Sequence, residues 1–169
     1  MSVTSIVIAY GGDEGMAIAA LLHDAAEDQG GVKRLREIRR KFGRRVARIV
    51  DGCTDSYDEP KPLWRVRKQN YIARVAGEHA DTRLVSAADK LSNARDILMD
   101  VRANGDAAFE RFQGKKEGTL WYYRALVGEF RKAGSNSLVE ELDRVVTQLE
   151  RQAETERLRR GIKTRRAGE

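Results

Sequence analysis

The chain reads as all-α, a helical bundle, on three observations. Helix-forming Ala, Leu, Arg and Glu are abundant, two prolines occur in 169 residues, and 41% of the chain is hydrophobic. No stretch shows the every-second-residue alternation of a half-buried strand. Apolar residues recur instead at helical spacing. In Leu138, Leu142, Val145 and Leu149 they form an amphipathic stripe that covers a core rather than a coiled-coil seam. A chain of this length fits one domain able to bury roughly 70% of its unfolded surface.

The first helix is expected over 2–10 and is broken by Gly11-Gly12, with Asp13 as N-cap of the next. That second helix, 14–27, opens with Met16 to Leu22, an uncharged apolar run read as buried. Gly30-Gly31 marks a loop, followed by helices over 32–42 and 44–53. Asp55 to Pro62, rich in Asp, Glu and Pro, is a second loop. Further helices are expected over 62–77, 81–100, 106–113, 116–133 and 136–158, without internal repeat.

The net charge of +6 is unevenly placed. Residues 157–169 hold Arg157, Arg159, Arg160, Lys163, Arg165 and Arg166 against Glu169, leaving about +1 for the rest. This basic end is expected to be a disordered tail, with weak attraction for RNA or another polyanion as the alternative. A basic isoelectric point is therefore no argument for a nucleic-acid-binding fold. One cysteine, Cys53, excludes an internal disulfide and is read as a packing residue. With no evident signal peptide and no apolar run near the ~20 residues of a membrane span, the expectation is a cytoplasmic protein without membrane contact. Oligomeric state is not legible.

The chemistry concentrates in Leu21-Leu22-His23-Asp24-Ala25-Ala26-Glu27-Asp28. An imidazole and three carboxylates extend a buried helix, which is costly unless something compensates the charge. On a continuous helix His23 and Glu27, and Asp24 and Asp28, are i,i+4 neighbours that surround one site. A divalent cation is the economical compensation. A second apolar segment, Leu84 to Ala88, runs into Asp89, with Asn93 four residues on. Asp89 either caps or pairs with Lys90 or Arg95, or joins His23 and Asp24 at a shared metal. Imidazole plus carboxylate suits Mn²⁺ or Mg²⁺ with water in the remaining positions. His79, in a loop-like stretch, matches no ligand position.

The segments ALLHDAAED (20–28), KFGRRVARIVDGCTD (41–55) and AADKLSNARDI (87–97) together resemble the HD-domain metal-dependent phosphohydrolases. The likeness is to the RelA/SpoT-type hydrolase domain and its small stand-alone relatives, and it spans most of residues 13 to 100. It implies an HD-domain helical bundle that binds Mn²⁺, or another divalent cation, and removes pyrophosphate from the 3′ position of guanosine tetra- or pentaphosphate. It implies His23, Asp24 and Asp89 as metal ligands, Glu27 and Asp28 as the acidic pair that activates water, and Asn93 as a site asparagine. The family's first ligand, a histidine on a preceding helix, has no counterpart. The expected organisation is therefore 1–156 as an HD domain shortened at its N-terminus, and 157–169 as the tail. Two alternatives stay open: a nucleotidase of the same superfamily, or a catalytically impaired module that binds nucleotide or a partner.

Two more groups are candidates for substrate. Arg65, Arg67 and Lys68 stand where the family places cations near phosphate, or else form a basic face paired with local acids. In Trp121-Tyr122-Tyr123, either the rings are core, or a tyrosine, Tyr122 or Tyr123, stacks on a purine.

Overall fold

The computed structural model describes residues 2–58 and 60–166, with side chains through residue 155. It is an all-α bundle: α1 (Val3–Ala9), α2 (Glu14–Leu22), α3 (Ala25–Asp28), α4 (Gly31–Cys53), α5 (Trp64–Val75), α6 (Ala80–Asn104), α7 (Lys115–Lys132) and α8 (Ser137–Arg166), with a 3₁₀ segment at Gly105–Phe109. No strand occurs among the described residues.

Helix α6 is the axis, packed by α1, α2, α4, α7 and α8. Its first half is buried on every side from Val85 to Asp89, and Leu91, Ala94, Ile97, Leu98 and Val101 continue the core. The stripe Leu138, Leu142, Val145 and Leu149 is buried as expected, on α8, which packs on α6 and α7. Helix α5 lies on α7. Ser2 and Asp13 cap α1 and α2, accepting from the backbone N–H of Ser5 and Met16.

Five expectations are corrected. The run Met16 to Leu22 is buried only at Ala19 and Ala20, and Leu21 is exposed, because one face of this helix packs inward while the other meets solvent. The helix over 14–27 is interrupted at His23 and Asp24, giving α2 and the single turn α3. Gly31 starts α4 rather than ending a loop. Helices 32–42 and 44–53 are two arms of one element, kinked where Gly43 adopts φ 87° and ψ 173°, a conformation that disfavours any L side chain. The helix expected over 106–113 is reduced to 3₁₀ geometry at Gly105–Phe109. At the basic end, the backbone of α8 continues to Arg166, while the side chains of 156–166 and all of 167–169 lie outside the described residues.

A polar clamp fastens α2 and α4 to the start of α6. Arg45 Nε and Arg48 Nη2 donate to Asp81 Oδ2 at 2.9 and 2.8 Å, and Arg45 Nη1 reaches Asp13 Oδ2 at 2.7 Å. Next to it α4 and α6 approach so closely that only a glycine fits: a Cβ on Gly52 would lie 2.3 Å from Thr82 Cγ2. Gly52→Ala is therefore expected to cost about 1–3 kcal/mol through overpacking, read as a lower urea midpoint at unchanged slope.

Candidate active site

The polar cluster forms where α2, α3 and the loop after α4 meet the middle of α6. Helix α2 ends because His23 turns back on it: Nδ1 donates to the Ala20 carbonyl at 2.8 Å, taking an acceptor that a continuing helix would use. This fixes the ring and aims Nε2 at Asp24 Oδ2, 3.0 Å away, and Asp89 Oδ1, 3.3 Å away. Asp89 is buried on α6, with Lys90 Nζ 2.5 Å from Oδ2 and Asn93 Nδ2 donating to Oδ1 at 2.7 Å. Asp89 thus pairs with Lys90, as one of its open readings had it, and contacts His23, which in turn contacts Asp24; Arg95 turns away to Glu141 at 2.8 Å.

The cluster's charges hold one another in place. Burial works against ionisation of Asp89, but Lys90 and His23 outweigh it and keep the carboxyl well below the usual carboxylate range. Burial also opposes the His23 charge, yet hydrogen bonds to Asp24 and Asp89 prevail and raise the imidazole to about 10. Lys90 is raised too: burial disfavours its charge and Asp89 overrides that.

Glu27 sits on α3 with Lys61 Nζ 3.0 Å from Oε1 and the Asp55 N–H in long contact with Oε2 at 3.5 Å. Asp28 is exposed on the same turn. Both line a polar cavity of about 270 Å³ with Asp24, Asp89, Lys68 and Tyr122. A second cavity of about 200 Å³ shares Lys68, Lys90, Asn93 and Tyr122 with the first and extends to Trp64 and Phe112. A carboxylate-walled chamber thus adjoins an aromatic one.

The three candidate cations separate. Lys68 reaches the chamber, its Nζ 2.7 Å from Asp55 Oδ2 and 5.0 Å from the Tyr122 ring centroid. Burial lowers its pKa more than Asp55 raises it. Arg67 is buried behind it, donating to Asp55 Oδ2 at 2.6 Å and to the Pro62 carbonyl at 3.1 Å. Arg65 lies elsewhere, over the Trp121 ring at 3.2 Å from its centroid. Tyr122 and Tyr123 are buried, in edge contact at 5.6 Å, so both are core; Tyr122 also walls both cavities. His79 is the N-cap position of α6. Burial pushes the Cys53 thiol up to about 12, in keeping with a packing residue.

Sequence reading missed Asp55, whose Oδ1 is buried without a hydrogen-bond partner among the described residues while Oδ2 holds two cations. The signal was indirect: Arg67 and Lys68, adjacent cations on a helix that packs inward, require an acid to meet them.

The donor types His23, Asp24 and Asp89 suit a hard or borderline divalent cation. His23 Nε2 lies 3.0 Å from Asp24 Oδ2 and 3.3 Å from Asp89 Oδ1, so the three residues that would hold such a cation are brought together. As they stand, the donors close on one another through the imidazole, and among the described residues no three His, Cys, Asp or Glu side chains form a ready metal-holding group. Admitting an ion means exchanging the His23 proton for it. The Nδ1 contact to Ala20 is the kind of outer contact that orients a metal-bound imidazole.

Asp89→Ala would leave the Lys90 ammonium buried and unpaired. It is expected to cost about 3–5 kcal/mol in urea unfolding, with much of that recovered when Lys90→Met is added.

Known proteins resemble this chain in sequence and in fold. The HD domain family profile matches residues 1–113. A zebrafish (Danio rerio) protein named guanosine-3′,5′-bis(diphosphate) 3′-pyrophosphohydrolase MESH1 is 44% identical over 79 residues, covering 47% of this chain and 41% of that protein. Its Drosophila melanogaster namesake is 35% identical over 89 residues, covering 53% and 47%. The match thus spans less than half the length of these relatives. Among solved structures, Listeria monocytogenes lmo0812 superposes with a TM-score of 0.75 at 26% identity, covering 86% of this chain and 94% of that one. A metazoan ortholog of SpoT, described as hydrolyzing ppGpp, gives 0.69 at 29% identity, covering 87% and 77%.

Proposed function

The chain belongs to the HD domain family, and on that premise we propose that it is a metal-dependent phosphohydrolase that releases pyrophosphate from the 3′ position of guanosine tetra- or pentaphosphate. The observation that carries the reading is that Asp24 and Asp89, joined through His23 Nε2, line the chamber that also holds Glu27, Asp28 and Lys68. The substrate is drawn from the relatives named for that activity.

In this proposal His23, Asp24 and Asp89 hold the cation, Mn²⁺ or another divalent ion. When bound, it supplies Lewis acidity that lowers the pKa of water and screens phosphate charge. Glu27, steadied by Lys61, accepts the proton of the attacking water, and Asp28 orients that water. The water oxygen bonds to the phosphorus on O3′ as the P–O3′ bond breaks; the proton taken by Glu27 returns through solvent to O3′ as the 3′ hydroxyl forms, and the attacked diphosphate departs as pyrophosphate. Lys68 offers its ammonium to the phosphates, and Arg67 keeps Asp55 and hence Lys68 in place. Asn93 and Tyr122, between the two cavities, face the nucleoside.

Phosphorus NMR of the protein with Mn²⁺ and ppGpp is expected to show GDP and pyrophosphate. Orthophosphate from deoxynucleoside monophosphates, with ppGpp intact, would support the nucleotidase instead, and no product from either would support a binding module. Glu27→Gln should retain Mn²⁺ binding and lose about 10²–10⁴ in turnover, whereas Asp24→Ala should weaken both. Full turnover in Glu27→Gln would remove its assigned role.

A further inference from the structure

Between Lys33 and Arg48 the chain places nine Lys or Arg residues and one acid, Glu37, more positive charge than the whole chain carries net. Three of these cations are committed: Arg34 to Glu37, Arg45 to Asp13 and Asp81, and Arg48 to Asp81. The other six, Lys33, Arg36, Arg39, Arg40, Lys41 and Arg44, are exposed and have no ion pair among the described residues. Such concentrated like charge repels itself, so an anion from outside would relieve it.

The kink at Gly43 gives this charge a shape. An open groove of about 740 Å³ is lined from both arms of α4, with Arg36, Arg39 and Arg44 around an apolar floor of Val32, Leu35 and Ala47. None of these residues lines the carboxylate chamber. From Lys33 to Arg48 the helix path is about 22 Å, long enough for more than one phosphate of a single strand rather than one small anion. Guanidinium outnumbers ammonium among the unpaired cations, and guanidinium grips phosphate oxygens two at a time. Phe42, the residue before the kink, is exposed and stands in the chain between Lys41 and Arg44, beside the groove's lining rather than in it. Cations tracking a backbone with an aromatic ring for a base to stack on are the parts of a single-strand binding surface.

We propose that the elbow of α4 binds single-stranded nucleic acid, without sequence preference, through its phosphate backbone and one base stacked on Phe42. The site is separate from the hydrolase chamber and does not depend on the hydrolase reading.

The test is fluorescence anisotropy of a labelled oligouridine with the full chain at several salt concentrations. The wild type should bind with strong salt dependence. Arg39→Glu/Arg40→Glu/Arg44→Glu should weaken binding more than 10-fold and flatten the salt slope by roughly one unit for each phosphate no longer neutralised. Arg39→Gln/Arg40→Gln/Arg44→Gln gives the same readout if the charge reversal disturbs folding. Phe42→Ala should weaken binding by about 5-fold or more, and duplex DNA of equal length should bind less well than the single strand. A variant with Arg157, Arg159, Arg160, Arg165 and Arg166 all changed to Gln should bind nearly as the wild type. The proposal is overturned if the tail variant alone loses binding, if both elbow variants bind like the wild type, if Phe42→Ala and duplex DNA leave affinity unchanged, or if the chain binds anionic phosphatidylserine vesicles but not the oligonucleotide.

Discussion

Asp89 is the constraint around which the molecule is organised. It is a carboxylate on the most buried stretch of the central helix, and it stays ionised because Lys90, His23 and Asn93 all converge on it. A charge in that position is tolerated only when fully compensated. Meeting that requirement explains why α2 must end at His23, since a helix continuing through it could not both hold the Ala20 carbonyl with Nδ1 and present Nε2 to α6. Helix α6 is fastened at its start by a separate set of contacts: Asp81 draws Arg45 and Arg48 onto its first turn, and Gly52 lets α4 press against Thr82.

The same cluster gives the chamber its division of labour. Positive and negative groups alternate around it rather than segregating: His23 and Lys90 flank Asp89, Lys61 flanks Glu27, and Lys68 and Arg67 share Asp55. Asp89, Glu27 and Asp55 are therefore oriented before anything enters, which is the condition for a preorganised electrostatic site. The aromatic cavity next door, walled by Trp64, Tyr122 and Tyr123, is built on the packing of α5 against α7 and meets the first at Lys68 and Lys90.

Much of this is legible in the chain, and the failures have physical causes. An apolar run that ends in a carboxylate, as at Ala88-Asp89, announces a buried polar site, because an uncompensated buried charge is costly; the run ending at Leu22-His23-Asp24 does so only in part, since Leu21 and Asp24 are exposed. The alternation of helix and loop follows from Gly and Pro and is mostly right. The continuous helix over 14–27 fails because helix periodicity is blind to a side chain that competes for a backbone carbonyl. Arg65, Arg67 and Lys68 look alike in sequence yet meet Trp121, Asp55 and the chamber respectively, since a one-residue step turns a side chain about 100° around a helix. Asp55 was hidden among the acids of its loop, because nothing local distinguishes a carboxylate that will be buried from those left in water.

The claim most central to this account is that a divalent cation can replace the proton shared by His23, Asp24 and Asp89. Calorimetric titration of the protein with Mn²⁺ near pH 7, repeated in two buffers of different ionisation heat, tests it directly. The account predicts saturable binding that releases about one proton per ion, with both the binding and the release abolished in Asp89→Asn. Binding without proton release, or equal binding in Asp89→Asn, would place the ion elsewhere and contradict it.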